Sequence, residues 1–287
     1  MDVFLQQLFA GLATGSVYAL VAYGYGLIFA TSRIVNFAQG HLVMLGAILG
    51  VTFLNMGLPY PVMVLATVLA VAGAGIVLER TITLPLRAAR SPYTWIVATL
   101  AAATIIENIV GLTFGTSAKN FPPAFHGEAH FGKVVVGYHN LLVVLVAVGM
   151  MVLIEVFLAR TYAGKAIRAT ADNPIGARLS GVPVPRLVTL SFALAGAIAG
   201  LAGVLVGPIT TAFVAVGLLL GLKGFIAAVI GGLGSFRGAL VGGLILGLTE
   251  NVVEQQLSSG VAGAILLGML MLTLVLRPQG LFGRQAA

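Results

Sequence analysis

The sequence is poor in charge, since only 8% of its 287 residues are Asp, Glu, Lys or Arg, against about 25% in an ordinary soluble domain. It contains no cysteine, which excludes a disulfide framework and a thiolate metal site. It also lacks the GxxxxGK[ST] pattern of a phosphate-binding loop, because the stretch 217–224 does not have that spacing. A water-soluble surface cannot be built from so few charges, so the composition excludes a soluble globular protein.

Long apolar runs stand in place of the missing charge, and 59% of the residues are hydrophobic. A helix of about 20 apolar residues crosses the hydrocarbon layer of a membrane, and the runs are continuous rather than alternating, which excludes a β-barrel. We therefore predict an all-α, polytopic transmembrane helical bundle of about nine spans, with eight and ten as the limits. The predicted spans are 6–30, 40–56, 61–79, 93–114, 138–158, 187–207, 212–234, 238–256 and 260–276.

Two of these spans are weaker than the rest. The second is short, and the seventh is interrupted by glycines and by Lys223, so a broken or re-entrant helix is the alternative for each. The first apolar stretch is too long for a cleavable signal peptide and no basic segment precedes it, so we interpret it as the first span. Residues 1–287 then form a single transmembrane domain, with a polar loop at 160–186.

The positions of Lys and Arg predict the orientation of the chain, because cytoplasmic loops are rich in these residues. With nine spans, the rule places the N-terminus outside and the C-terminus inside, and puts the poorly basic loop 115–137 outside. The net charge of +7 does not indicate nucleic-acid binding, since the basic residues are scattered without interleaved aromatics. The basic residues that fall on the inner side are Arg33, Arg80, Arg87, Arg90, Arg160, Lys165, Arg168, Arg178, Arg186, Arg237, Arg277 and Arg284.

The loop 164–181 is polar but has the sequence of an ordered element. Residues 164–171 favour a helix, and Asp172 or Asn173 is suited to cap a second short helix that begins at Pro174 and ends before Gly181. Two interpretations are open at this point. The loop is either a solvated connector or a docking element for a soluble partner.

Carboxylates inside a membrane indicate function or a paired structural role. Glu107 and Glu250 lie in the outer halves of the fourth and eighth spans, and each is followed by Asn and two β-branched residues. Either could contact the ammonium group of an amino acid, and the alternative is that each sits near the interface or pairs with a polar neighbour. Glu155 lies near the inner end of its span, where the ordinary expectation is a carboxylate that snorkels to the interface or pairs with Arg160.

Other polar residues give weaker indications. Asn36 is suited to cap the second span, with Phe37 packed against it. The loop histidines 126, 130 and 139 are spaced too unevenly to predict a metal site. No Ser, His and Asp arrangement with supporting spacing is present, so the sequence predicts that this chain is not an enzyme.

Four stretches of the sequence form a specific combination. They are Gly15-x-x-Tyr18-Ala-Leu20, Asn36-Phe-Ala-Gln-Gly40 with Met44-Leu-Gly-Ala47, Arg168-Ala-Thr-Ala-Asp-Asn-Pro174 with Arg178-Leu-x-Gly-Val182, and the small-residue run 192–203. Together they resemble the LivH-type permeases of branched-chain amino acid ABC importers. The resemblance covers almost the whole chain, and its one departure is Gln39-Gly-His41, where His is expected before the Gly. That departure leaves the role of this histidine open.

The resemblance implies a heteromeric importer in a bacterial or archaeal cytoplasmic membrane. Its parts would be two similar permease subunits, two cytoplasmic ATPases that bind ATP and Mg, and an extracytoplasmic binding protein, with no cofactor on this chain. The pathway candidates are Asn36, Phe37, Gln39, Glu107 and Glu250. The residues implied in ATPase coupling are Lys165, Arg168, Asp172, Asn173, Pro174, Arg178 and Gly181.

The function predicted in this way is that of a permease subunit working by alternating access, with branched-chain or other hydrophobic amino acids as substrates. Related importers carry urea, short amides or aromatic acids, so these substrates stay open. The alternative from another class is an ion-coupled secondary transporter or channel that uses Glu107 and Glu250. A structural membrane scaffold is a third possibility, which the ordered loop disfavours.

Overall fold

A computed structural model describes residues 2–88, 92–125, 127–131 and 134–283, and most of them are helical. Arg90, His126 and Arg284, which entered the sequence analysis, lie outside these ranges. A π-helical turn at Glu79–Thr83 and a 3-10 turn at Pro85–Ala88 follow the third helix. The elements are α1 Asp2–Ser32, α2 Gln39–Asn55, α3 Tyr60–Leu78, α4 Pro92–Phe114, β1 Glu128–Phe131, β2 Val134–Gly137, α5 Tyr138–Arg160, α6 Tyr162–Asp172, α7 Pro174–Leu179, α8 Val184–Thr210, α9 Val216–Gly231, α10 Phe236–Gln256 and α11 Ser259–Leu276.

The predicted all-α transmembrane bundle is confirmed. Among the described residues, seven helices are long and apolar enough to cross a membrane. The two shorter apolar helices are α2 and α9, which correspond to the second and seventh predicted spans. The weakness of those two spans in the sequence therefore reflects a real difference in length.

The backbone explains why α9 is shorter than the predicted span 212–234. Thr211 ends α8 with a positive φ of 63°, and Gly232 ends α9 with a φ of 102°. A positive φ cannot continue a right-handed helix. Residues 212–215 and 232–235 consequently lie outside the helix.

Helices α1 and α8 form the centre of the bundle, whereas α11 lies almost entirely on its surface. Small residues allow the close packing around this centre, as expected for helices in lipid. A Cβ on Gly15 would lie 2.9 Å from the carbonyl oxygen of Gly243 in α10, and a Cβ on Gly46 would lie 2.8 Å from Gly200 of α8. The glycine content of the sequence thus serves backbone contact between helices.

The loop predicted at 115–137 contains a feature that the sequence analysis missed. Strands β1 and β2 pair antiparallel, with Glu128 opposite Gly137, and lead directly into α5. Lys119 of the same loop forms an isolated bridge with Ala212. We call this side of the bundle the hairpin end, and the opposite side, which carries α6 and α7, the α6–α7 end.

Candidate functional site

The α6–α7 element has the capped structure that its sequence predicts. Thr161 accepts a hydrogen bond from the Gly164 N–H at 3.0 Å, and the Asn173 side chain accepts from the N–H groups of Ile175 and Gly176 at 3.1 and 2.8 Å. Pro174 occupies the first turn of α7, and Gly181 follows its end with a φ of 79°. The second cap is therefore Asn173 rather than Asp172.

One face of α6 is buried against the bundle. Ile167 is fully buried, and a Cβ on Gly164 would collide with the backbone of α5 at Phe157 and Leu158. Arg33, just beyond the end of α1, donates a hydrogen bond to the carbonyl oxygen of Ala171. These contacts join α6 to α5 and α1, so the element is a fixed part of the bundle and not a loose connector.

Arg168 lies at the edge of this buried face and is partly exposed. Its guanidinium lies 2.7 Å from a carboxylate oxygen of Glu155, and the other oxygen of Glu155 accepts a hydrogen bond from the Tyr23 hydroxyl at 3.4 Å. The predicted pairing of Glu155 with Arg160 is therefore wrong. It fails because α5 ends at Arg160 and the chain then turns back through α6, which brings Arg168 over Glu155.

The opposite face of α6–α7 is exposed and partly apolar. Ile175 and Leu179 are 71% and 85% exposed, and Tyr162 is also exposed. Lys165, Asp172 and Arg178, which are among the residues predicted to act in coupling, are exposed beside them. Sequence reasoning missed the apolar residues because it selected for charge, and the six-residue helix α7 is too short to show a hydrophobic period.

The second region of interest lies where α2 begins, inside the bundle. Gln39 is the first residue of α2, and its side-chain N–H₂ donates to the carbonyl oxygen of Ala195 at 3.1 Å. Ala195 lies eleven residues after the start of α8 at Val184, which is about 16 Å along the helix axis. Helix α2 therefore begins beside the interior of α8 and not beside its end.

Asn36 and Gln39 are both fully buried at this point. The Asn36 side-chain oxygen accepts from the Ala38 N–H at 3.1 Å, but the N-cap of α2 is Ala38. The predicted cap at Asn36 is thus displaced by two residues, because Asn36 stabilises the turn before the helix. Phe37 packs against the Phe225 ring of α9, with centroids 5.5 Å apart.

Two polar atoms of this turn have no hydrogen-bond partner among the described residues. They are Nδ2 of Asn36 and Oε1 of Gln39, and both are inaccessible from the surface. Buried polar groups are normally satisfied. The start of α2 therefore carries two buried polar atoms with unused hydrogen-bonding positions inside an apolar bundle.

Glu107 contacts the histidine whose role was open. Its carboxylate lies 3.2 Å from Nε2 of His41, in the first turn of α2. The side chain of Glu107 is 39% exposed while that of His41 is nearly buried. Thr104 and Asn108 are exposed beside Glu107 on α4, so this helix carries a polar stretch in a face that is otherwise apolar.

Glu250 has a different environment, because it pairs with Lys223 of α9. The Lys223 ammonium also lies 3.2 Å from the Tyr18 hydroxyl of α1. The Glu250 side chain is only 10% exposed. Lys223, which looked like an interruption of the seventh span, therefore neutralises a buried carboxylate and joins three helices.

The described residues contain no group of three or more His, Asp or Glu that could hold a metal ion. What they do contain is a bundle of apolar helices with paired charges in its interior and a rigid amphipathic element at one end. The class defined by this fold is a multi-pass membrane protein.

Comparisons with known proteins identify the family. Residues 7–275 match the family described as branched-chain amino acid transport system, permease component. The chain is 32% identical to the high-affinity branched-chain amino acid transport system permease protein BraD of Pseudomonas aeruginosa, over 98% of this chain and 96% of that protein. It is 30% identical to the corresponding protein LivH of Escherichia coli, with the same coverage.

A solved structure shares the fold. The structure described as PsaBC from Streptococcus pneumoniae in complex with Fab aligns with a TM-score of 0.51 at 15% sequence identity, over 97% of this chain and 94% of that chain. The chain belongs to the branched-chain amino acid transport permease family. The predicted LivH-type resemblance is confirmed, and the chain is a transport subunit and not an enzyme.

Proposed function

We propose that this chain is the permease subunit of an ATP-driven importer whose substrates are branched-chain or other hydrophobic amino acids. The family and the names of the relatives support this substrate class. The proposed complex contains two cytoplasmic ATPases that carry ATP and Mg, a second homologous permease subunit and an extracytoplasmic binding protein. Residues 1–287 act as one permease domain in which 160–186 is the coupling segment.

The observation that carries the proposal is the exposed apolar face of α6–α7. Ile175 and Leu179 project from α7, whose N-terminus is capped by Asn173 and whose Ala177 is buried against the bundle. Large apolar side chains on a rigid element beside Lys165 and Arg178 are typical of the anchored core of a protein interface. A groove on a soluble ATPase is the partner to which we assign this face.

In this arrangement the predicted coupling residues divide into three tasks. Lys165, Asp172 and Arg178 contact the ATPase from the exposed face. Asn173, Pro174 and Gly181 shape the element through its cap, its first turn and its end. Arg168 points inward to Glu155 instead.

Changing the apolar face tests ATPase docking. We expect I175E with L179E to lower the affinity for the ATPase about tenfold or more, because both anchors would become charged. Retention of the ATPase on the affinity-tagged permease in mild detergent measures this. The matched control is F125E, which changes an exposed apolar residue at the hairpin end and should retain the ATPase fully. If the wild type, the I175E/L179E variant and F125E all retain the ATPase equally, the assigned docking face is wrong.

The proposed orientation puts the N-terminus outside and the α6–α7 end in the cytoplasm. Arg33, Lys165, Arg178 and Arg186 gather at that end, which agrees with the bias of basic residues toward cytoplasmic loops. Because the chain has no cysteine, labelling of a single introduced cysteine shows on which side of the membrane that residue lies. We expect K165C to react with an impermeant maleimide only after the membrane is opened, and F125C to react in intact cells. The reverse pattern would invert the orientation.

Glu107 is the carboxylate that we assign to the solute pathway. It is partly exposed, lies beside Thr104 and Asn108, and has His41 as its hydrogen-bond partner. A half-exposed carboxylate within a span faces water or protein and not lipid. A carboxylate in that position is suited to the ammonium group of an amino acid, with Asn36, Phe37 and Gln39 at the adjacent start of α2. Glu250 is already neutralised by Lys223 and is assigned a structural role.

An ion-coupled transporter is the second candidate, because His41 and Lys223 give both carboxylates a basic partner. Reconstitution in proteoliposomes with the ATPases, the second permease and the binding protein distinguishes the two functions. We expect uptake of labelled leucine only with ATP and with both soluble partners. Uptake that needs no nucleotide and follows an imposed proton gradient would favour ion coupling.

A further inference from the structure

Glu155 joins two different elements with its two carboxylate oxygens. One oxygen lies 2.7 Å from the Arg168 guanidinium of α6. The other accepts a hydrogen bond from the Tyr23 hydroxyl of α1 at 3.4 Å. Glu155 itself lies in α5, little more than one turn before that helix ends at Arg160. Three elements therefore meet on one side chain at the α6–α7 end.

The connection continues from Tyr23 into the bundle. Tyr23 is almost completely buried, and its ring packs against that of Phe236 with centroids 4.9 Å apart. Phe236 is the first residue of α10. Continuous contacts thus connect α6, through Glu155 and Tyr23, to α1 and α10, and a displacement of α6 acts on both helices through them.

A second contact holds α6 to the same helix. Arg33, which follows α1, donates to the carbonyl oxygen of Ala171 in the last turn of α6. Arg168 lies about one turn before Ala171, so α6 is held at two points by residues that lead to α1. Two separated points of attachment resist rotation as well as translation, which a single contact cannot do.

We propose that Arg168, Glu155 and Tyr23 form a coupling strut that transmits movement of the ATPase-docked element to α1 and α10. This inference rests on the proposed function. The three residues are positioning residues, because their polar groups contact one another and not the exposed side chains of Ile175 and Leu179. Docking and transmission are consequently separate properties of neighbouring side chains.

The strut is suited to transmission rather than to stability. Arg168 and Glu155 both remain partly exposed, and ion pairs of that kind contribute little to the free energy of unfolding. The buried Ile167 and the close contact at Gly164 hold α6 in place without the pair. Breaking the strut should therefore leave a folded protein that still binds its ATPase.

The test measures the number of leucine molecules taken up per ATP hydrolysed by the complete complex in proteoliposomes. We expect E155Q and R168M to lower this ratio about fivefold or more while ATPase retention stays at the wild-type level. Y23F removes only the hydroxyl and should lower the ratio less. The charge exchange E155R with R168E should restore much of it, because the pair re-forms with its signs reversed.

R80M is the control, since Arg80 is an exposed arginine outside 160–186 that lies beside Glu79 and not Glu155, and it should keep the wild-type ratio. An unchanged ratio in E155Q and R168M would overturn the strut. If these variants lose the ATPase in parallel with uptake, the strut is also overturned, because Glu155 and Arg168 would then take part in docking the ATPase. Nucleotide-independent uptake by the wild-type complex would overturn the proposed function itself, and the strut with it.

Discussion

Glu107 and Glu250 have nearly the same local sequence, Glu-Asn-Ile-Val and Glu-Asn-Val-Val, but their surroundings differ. Glu107 is partly exposed and contacts the imidazole of His41, whereas Glu250 is buried against the ammonium of Lys223 and near the Tyr18 hydroxyl. The partner and the exposure of a carboxylate decide whether it can be offered to a solute. Local sequence alone does not separate the two roles.

The largest effect is expected from breaking the buried pair. E250Q would leave the Lys223 ammonium partly buried without a counter-charge, which costs about 3 kcal/mol or more of stability. The thermal unfolding midpoint of the purified protein in detergent measures this loss. E107Q, which exchanges the same groups at the partly exposed site, should change the midpoint little.

A second variant tests whether the loss of stability comes from the unpaired Lys223 charge. E250Q with K223M removes both charges together, so it should recover a substantial part of the midpoint lost in E250Q. If E250Q and E107Q unfold at the same temperature, the contrast between a structural and a pathway carboxylate is wrong.

For transport, E107Q is expected to have a larger effect than E250Q. E107Q should lower ATP-dependent leucine uptake about tenfold, which corresponds to about 1.4 kcal/mol of lost interaction, because the amide cannot form a charged contact with an ammonium group. Its folding and its ATPase retention should match the wild type. Normal uptake by E107Q would place the ammonium contact elsewhere. Loss of a proton-gradient dependence in this variant would favour the ion-coupled alternative.

The smallest effect concerns the asparagines that follow the two carboxylates. Asn251 donates to the Thr14 hydroxyl of α1 at 2.7 Å, whereas Asn108 donates only to Thr104 within its own helix. N251A should therefore cost about 0.6 to 1 kcal/mol of stability, and N108A should cost less. Unfolding midpoints of the two alanine variants measured side by side check this. An equal loss in both would show that the contact between helices contributes nothing.

Predictability differed along the chain for physical reasons. The span bounds other than those of α9 were predictable because hydrocarbon thickness sets a length that the apolar runs must match. The caps at Asn173, Pro174 and Gly181 were predictable because capping depends on neighbouring residues only. The β1–β2 hairpin was missed because its four-residue strands lie in a loop with little apolar alternation.

Partners of charged side chains were the least predictable part. Glu155 was expected beside Arg160, its neighbour in sequence, and it meets Arg168 and Tyr23. Lys223 looked like a defect in a span and is the counter-charge of Glu250. His41 stood outside the expected motif order and contacts Glu107. Each of these contacts joins different helices, so no local pattern contains it.

By itself the sequence determined that this is a helical membrane protein of its family, with about nine apolar helices and one ordered polar element. Apolar length, capping residues and family motifs are local properties that can be read along the chain. Only the tertiary structure decided that α2 begins inside the bundle, that Glu107 is partly exposed while Glu250 is buried, and that Arg168 contacts Glu155. Those outcomes depend on which helices meet and at what depth, since an intramembrane charge takes its role from the group across from it.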